Sequence, residues 1–357
     1  MKVACGWRLV FSLAVLPAAA RAHLIGEPSH DAAAARLALA WRPAPTLALA
    51  APSGAAAAAV PLAAGPAAAF APFAPAVRVR VAGDHLLVES DGLPAHGMMV
   101  GITAWQQQVP LPQPYVGTNA WRIPLRPVPA AAGTPIRDRF LRGAIALAVN
   151  GVPIFNPQNN RGEVSADIGE LDRWGGHCGR ADDYHYHVAP FHLEATTGVG
   201  RPIAYALDGY PILGLAEPDG TPPVGLDQWR GHETPALGYH YHASETYPFL
   251  MAGFRGVVVE REGQVDPQPR AQGVREALTQ LRGARITGFE EVTPRSAYVL
   301  RYEVRGAPGS VSYQREQEGV WRFRFQEPAG EIREVTYRAS ERRGGGKGKA
   351  PSPRRER

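Results

Sequence analysis

Six of the eleven histidines in this chain form two sets with the same internal spacing, H-x7-H-x-H. The two sets are His177, His185 and His187, and His232, His240 and His242. Imidazole is the favoured ligand for zinc, copper, nickel and non-haem iron. Side chains two residues apart in a strand share a face and lie roughly 6.5–7 Å apart, so the last two histidines of each set can converge on one ion. We expect the first histidine of each set to arrive from the preceding loop, completing a three-histidine site with an open position.

Both sets belong to a longer internal repeat. Residues 172–187 match residues 227–242 at nine of sixteen positions with an offset of 55. Upstream, ALAVNGVPIF matches AYALDGYPIL with an offset of 58. Tandem duplication is the simplest explanation, since chance would leave about one identity in sixteen. It predicts two halves, about 140–195 and 200–255, in a pseudo-twofold arrangement. One YHYH copy alone would indicate only a strand with exposed histidines, whereas two copies favour metal binding.

Neighbouring polar residues could support these sites. Asp172 and Asp227 are candidates to orient a ligand histidine through its other ring nitrogen, with a turn or N-cap role as the equal alternative. Asp183 would distinguish the first half, because its counterpart is glycine. Asp208 is a further supporting carboxylate. Cys178 is either a thiolate ligand special to the first half or, the favoured interpretation, a buried inert thiol.

Aromatic residues alternate with the histidines and should face the core. The predicted core aromatics are Tyr184, Tyr186, Tyr239, Tyr241, Trp174 and Trp229. The tyrosine hydroxyls could also reach backbone carbonyls. Two loop histidines, His96 and His192, are further ligand candidates, although loop histidines without a role are commoner.

Three kinds of function fit this pattern. The favoured hypothesis is a metal-binding protein, with zinc or copper as the ion. A metal-dependent enzyme is open as well: a hydrolase would need a carboxylate base such as Glu163, Asp183 or Asp208 beside a metal-activated water, and a copper oxidoreductase would suit nitrogen-rich sites. The alternative from another class is a metal-free module that recognises glycans or a protein partner. Serine-hydrolase, Walker and dinucleotide-binding signatures are absent from the sequence.

The N-terminal residues indicate export. Lys2 and Arg8 precede an apolar run from Leu9 to Leu16, and an A-x-A site ends at Ala22. This pattern predicts a signal peptide cut after Ala22 and a secreted or periplasmic protein. The apolar run is shorter than the roughly 20 residues of a membrane span, so we expect no transmembrane segment in the mature chain. Only Cys178 would remain after cleavage, which leaves no internal disulfide.

Charge argues against a nucleic-acid partner. The formal net charge is +5, and residues 341–357 account for it with seven basic and two acidic side chains. The rest of the chain is neutral, so we expect no basic groove on the folded part and interpret 341–357 as a solvated tail.

Composition and patterning predict a mainly β protein. The 39 Gly and 34 Pro favour turn-rich structure over long helices. After the signal, residues 23–76 form an Ala/Pro-rich tether, and a β-hairpin that turns at Gly83-Asp84 opens a duplicated domain over 77–260. A small α+β domain over 270–340 would follow, with a short helix at 274–281 and about four strands.

These motifs resemble the YHYH-domain family, named for the tetrapeptide at 184–187 and 239–242. The similarity runs through NGVPIFNPQNNRGE, WGGHCGRADDYHYH, ALDGYPILG and GYHYH, over roughly residues 77–260. The resemblance implies an exported protein. The second half departs from the first, because WRGHETPALGYHYH lacks the cysteine and the acidic pair that precede the first YHYH.

Overall fold

The computed structural model describes residues 65–339; the predicted signal, most of the predicted tether and the basic tail lie outside these residues. Strands dominate the described chain. The twenty strands, β1 to β20, are Arg78–Ala82, His85–Glu89, Trp121–Pro124, Pro129–Pro135, Ala144–Ala148, Pro153–Phe155, Gly176–Cys178, Tyr184–Tyr186, Pro202–Ala206, Pro211–Leu213, Gly231–Thr234, Gly238–His242, Gly253–Gly256, Glu260–Arg261, Gln264–Val265, Ala284–Thr293, Ala297–Val304, Ala307–Gln317, Val320–Gln326 and Ile332–Arg338. The two short helices, α1 and α2, are Pro66–Phe70 and Glu194–Thr197.

An eight-stranded sheet forms the centre of the molecule, in the order β11-β12-β10-β9-β5-β6-β8-β7. The succession is the same from either end: an outer antiparallel hairpin, a parallel contact, and an inner antiparallel hairpin. The two halves meet where β5 and β9 pair antiparallel. Both of these strands are buried along their whole length, because AIALA and PIAYA carry no side chain that needs water on either face. The strand order therefore has the pseudo-twofold symmetry that the repeat predicts.

Equivalent tight turns close the two inner hairpins. Gly151 and Gly209 adopt φ of 80° and 98°, a left-handed conformation that glycine reaches without a Cβ penalty. Each donates its N–H three residues back, to Ala148 and to Ala206 respectively. A Cβ at either glycine would come within 2.6 Å of a neighbouring atom. The Asn-Gly and Asp-Gly signals found in the sequence thus mark the same turn in both halves.

The N-terminal part of the described chain covers this sheet. The predicted hairpin is confirmed, since β1 and β2 pair antiparallel around Gly83 and Asp84, and β3 adds a third strand. The predicted tether ends earlier than expected. Phe70 of α1 is 1% exposed and stacks on Tyr205 at 5.7 Å, so burial of one aromatic ring anchors this Ala/Pro-rich segment to the domain.

The C-terminal unit is an antiparallel meander of five strands, β16 to β20. Its last four strands match the alternating stretches in the sequence, whereas β16 was not predicted. The predicted helix at 274–281 is wrong: these residues form neither helix nor strand. The chain instead runs irregularly along the domain, because Arg275 pairs with buried Asp182 and the Leu281 N–H donates to the Trp105 carbonyl. Tertiary contacts override the local helix propensity, so this unit is β rather than α+β.

Neither helix within residues 65–339 has the length and apolar content needed to cross a membrane.

Candidate metal centres

Cross-strand register brings the histidines together. His177 on β7 lies directly opposite His185 on β8, and His232 on β11 lies directly opposite His240 on β12. Directly opposed residues of an antiparallel pair have Cβ atoms roughly 4.5–5.5 Å apart, close enough for two imidazoles to meet. The first histidine of each set therefore comes from a paired strand rather than from the expected loop. The third histidine of each set lies two residues beyond the second, on the same face.

The first trio consists of His177, His185 and His187. Its ring centroids are separated by 4.8 to 5.0 Å, and one nitrogen from each ring lies within 4.8 Å of the others. The Nε2 atoms of His177 and His187 are 3.0 Å apart. Phe155 stacks on the His185 ring at 3.8 Å and holds its plane. These three side chains are geometrically able to hold a metal ion.

The second trio, His232, His240 and His242, has a fourth member. Glu217 places Oε1 2.7 Å from the His232 Nε2 and 3.2 Å from the His242 Nε2, and Oε2 3.4 Å from the His240 Nε2. The Nε2 atoms of His232 and His240 lie 3.1 Å apart. All four donor atoms lie within 4.8 Å of one another, so the second group could also hold a metal ion.

Backbone carbonyls define which ring nitrogen carries the proton. In the second trio, the Nδ1 atoms of His232, His240 and His242 lie 2.9 to 3.0 Å from the carbonyl oxygens of residues 224, 238 and 214. In the first trio, the Nδ1 atoms of His185 and His187 lie 2.9 and 2.5 Å from the carbonyls of residues 183 and 156. A carbonyl only accepts, so Nδ1 must donate, and the Nε2 of a neutral ring then presents a lone pair.

Burial favours the neutral rings. It lowers the pKa of His187 to about 3 and is also the main reason that the pKa values of His177 and His242 are lowered. His240 and His242 have no exposed side-chain area. The carbonyl contacts leave Nε2 as the free ring nitrogen of His185 and His187 in the first trio and of all three histidines in the second. His177 has no such carbonyl contact at Nδ1 within residues 65–339 and meets its trio through Nε2.

Glu217 was not found from the sequence. It lies in the loop after β10, and the 58-residue offset aligns it with Asn159 in the loop after β6. The repeat is defined by residues that are identical in both halves, and this position is not one of them. The sequence signal for Glu217 is that the repeat aligns this carboxylate with an amide.

Asp172 and Asp227 support the histidine strands without touching the histidine rings. Each accepts from the backbone N–H groups two and four residues ahead through Oδ1, and from a tyrosine hydroxyl through Oδ2, from Tyr184 at 2.8 Å and Tyr239 at 2.9 Å. Of the two roles considered, the contacts are those of a turn-stabilising carboxylate.

The other four candidate residues occupy four different places. Asp183 lies beside the first trio, with Oδ2 3.6 Å from the His185 Nδ1. Asp208 lies behind the second trio, where it accepts from the Tyr241 hydroxyl at 2.6 Å. Glu163 is half exposed and paired with Arg161. Cys178 is 1% exposed in the hydrophobic core, and burial raises the pKa of its thiol. It contributes no atom to the first group.

His96 and His192 lie on the tyrosine side of β8, away from the first trio. The His96 Nε2 is 2.7 Å from the Tyr186 hydroxyl and the His192 Nε2 is 3.5 Å from it. The His96 ring stacks on Trp174 at 4.6 Å. Of the aromatic residues named from the sequence, Tyr184, Tyr186 and Tyr241 are buried, whereas Tyr239 and the two tryptophans are only partly buried.

Comparison with known families agrees with the sequence motifs. A family model described as YHYH protein matches residues 120–222, so the resemblance is confirmed and the chain contains a YHYH domain. The match includes the first histidine set and Glu217 and ends before the second histidine set. No curated protein and no solved structure matches the chain.

Proposed function

We propose that this protein is an exported metal-binding protein that holds one transition-metal ion at each histidine trio. One observation carries the proposal: the histidine Nε2 atoms converge, with separations of 3.0 and 3.1 Å in the two trios. In the second trio both of these rings hold Nδ1 against a carbonyl, so neutral rings would turn two Nε2 lone pairs toward each other, and a bound cation would remove their repulsion. Nitrogens bound to one zinc ion at about 2.0–2.1 Å with tetrahedral angles lie about 3.3 Å apart, close to the separations seen here.

Unpaired buried atoms in the second trio support the same proposal. The Glu217 Oε1 and the His242 Nε2 are buried and make no hydrogen bond within residues 65–339, although Oε1 lies 3.2 Å from the His242 Nε2 and 2.7 Å from the His232 Nε2. Buried polar atoms without partners are costly and call for an explanation. An ion at the centre of the group would satisfy both atoms at once.

The ligand types favour zinc or copper. Three imidazoles with one carboxylate suit a tetrahedral zinc ion, and imidazole-rich sites also suit copper(II). Burial disfavours the metal-free alternative, because histidine rings with little or no exposed area offer little surface to a glycan or a protein partner.

Metal content tests the proposal. Protein purified without a polyhistidine tag, stripped with a chelator and re-equilibrated with zinc should bind two equivalents by elemental analysis. His187→Ala and His242→Ala should each lose one equivalent, and the double variant should lose both. His85→Ala, which changes a histidine on β2 outside both groups, is the matched control and should retain two. Less than roughly a tenth of an equivalent in the unmodified protein would overturn the proposal.

A further inference from the structure

The loops that follow β6 and β10 have the same backbone structure but carry different side chains at one position. The Asn159 N–H donates to the residue 163 carbonyl, and the Asn159 carbonyl accepts from Gly162. The Glu217 N–H donates to the residue 221 carbonyl, and its carbonyl accepts from Gly220. The four bonds are related by the 58-residue offset of the repeat. Asn159 and Glu217 are therefore structurally equivalent.

The two side chains point to different partners. Glu217 reaches all three histidines of its trio. Asn159 instead uses both ends of its amide within its own loop and with Glu170: Oδ1 accepts from the N–H groups of Arg161 and Glu163, and Nδ2 donates to Glu163 and Glu170. A side chain with its hydrogen bonds satisfied in this way has no donor or acceptor left for the first trio.

This difference changes both the coordination and the charge of the bound ion. A four-coordinate ion would find four protein ligands at the second trio and three at the first. A divalent ion among three neutral imidazoles carries a net charge of +2, whereas the Glu217 carboxylate reduces this to +1. A four-coordinate ion at the first trio would therefore keep one position for a ligand from outside the chain, and its protein ligands would carry one negative charge fewer than those of the second trio.

The first histidine of each trio lies on an edge strand and is only partly buried, His177 on β7 and His232 on β11. The other two histidines of the first trio, His185 and His187, are 3% and 4% exposed. A ligand from solvent can therefore approach the first trio along the His177 side, without displacing the buried rings.

We propose that the His177/His185/His187 site binds a small exogenous anion at an open metal position, whereas Glu217 closes the other site and makes it structural. The inference rests on the proposed function, because both statements require bound metal. Under this proposal, solvent-borne ligands would exchange at the first trio, and any chemistry on a metal-bound anion would take place there.

Cobalt(II) and azide provide the test. Cobalt replaces zinc in nitrogen and oxygen sites and reports its coordination by visible absorption, and azide is a small anionic ligand. His242→Ala, which leaves only the first site, should bind cobalt, and its spectrum should change when azide is added. His187→Ala, which leaves only the second site, should bind cobalt with a spectrum that azide does not change.

Exchanging the equivalent residues gives the matched variants. Asn159→Glu in the His242→Ala background should abolish the response to azide, because the new carboxylate occupies the open position. Glu217→Gln in the His187→Ala background should create a response and does not disturb the Asn159 loop. Failure of both single-site proteins to bind cobalt would overturn the proposed function itself. Cobalt binding to the first site with no spectral response to azide would overturn only this inference.

Discussion

Individual residues behind the histidines fix the strands from the opposite face. The alternation of YHYH places its tyrosines on the face opposite the histidines. On that face the Tyr186 hydroxyl accepts from the Asn150 amide, and the Tyr241 hydroxyl donates to Asp208. Asn150 and Asp208 are equivalent in the repeat, so one half has a neutral amide where the other has a carboxyl group. Burial raises the pKa of Asp208 to about 6, against hydrogen bonds from Tyr241 and two backbone N–H groups that lower it.

The shift in Asp208 predicts a pH-dependent stability. The Asp208 carboxyl has a pKa of about 6 in the folded protein and 3.8 when unfolded. Its contribution to the free energy of unfolding is therefore fully present below pH 3.8 and is lost as the pH rises through about 6. Asp208→Asn cannot ionise, so it does not undergo this pH-dependent loss of stability. The free energy of unfolding of metal-stripped Asp208→Asn, relative to the unmodified protein, should therefore increase by about 1 kcal/mol between pH 5 and pH 8. Urea unfolding at the two pH values measures it.

Asp219→Asn is the control, since Asp219 is fully exposed and its pKa is lowered, chiefly by its hydrogen bonds with Thr221. It should show the same difference from the unmodified protein at both pH values. A relative stability of Asp208→Asn that does not change with pH would contradict the role given to this carboxyl.

At the scale of elements, short strands place the trios and long-range contacts hold those strands in position. β7 and β8 have three residues each, too few to be stable as an isolated hairpin. Two residues before β8, Asp182 adopts a φ of 59° and accepts two hydrogen bonds from Arg275 at 2.7 and 2.8 Å. Both side chains are buried, so this ion pair joins the segment that precedes β16 to the turn of the first histidine hairpin.

Removing the arginine should be costly. Arg275→Ala leaves the Asp182 carboxylate buried without its cation, which should lower the free energy of unfolding by about 3 kcal/mol. Arg301→Ala is the matched control, because Arg301 pairs with Glu290 at the same distance of 2.7–2.8 Å but with both side chains about half exposed. That variant should lose less than about 1 kcal/mol. Equal losses in the two variants, measured by urea unfolding, would contradict the account of this contact.

Elements were predicted from the sequence where a local pattern decides them. The hairpin at Gly83-Asp84 and the last four strands of the meander follow from alternation and turn residues alone. The helix predicted at 274–281 failed because one buried ion pair, invisible in local propensity, holds Arg275 against another part of the fold. Glu217 was not predicted for a similar reason. This loop carboxylate lies beside the histidines because β10 and β12 pair in parallel, which is a long-range contact that local sequence does not show.

For the whole molecule, the repeat predicted a symmetry that the strand order shows. The six histidines stood out because two copies kept the same spacing, and the structure brings each set together at an opposite end of the central sheet. Spacing alone could not decide between one shared cluster and two sites. The sheet separates them: β8 and β12 are five strand spacings apart in the sheet order, which is about 24 Å at about 4.8 Å per spacing.

Anomalous diffraction from crystals of zinc-loaded protein tests the central claim most directly. We expect two peaks roughly 25–30 Å apart, because about six strand spacings separate the middle of the β7/β8 hairpin from the middle of the β11/β12 hairpin. One should lie about 2.0–2.1 Å from the Nε2 atoms of the first trio and the other at the same distance from the second trio and Glu217. Absence of both peaks, with the histidine rings of each trio turned away from one another, would contradict the account.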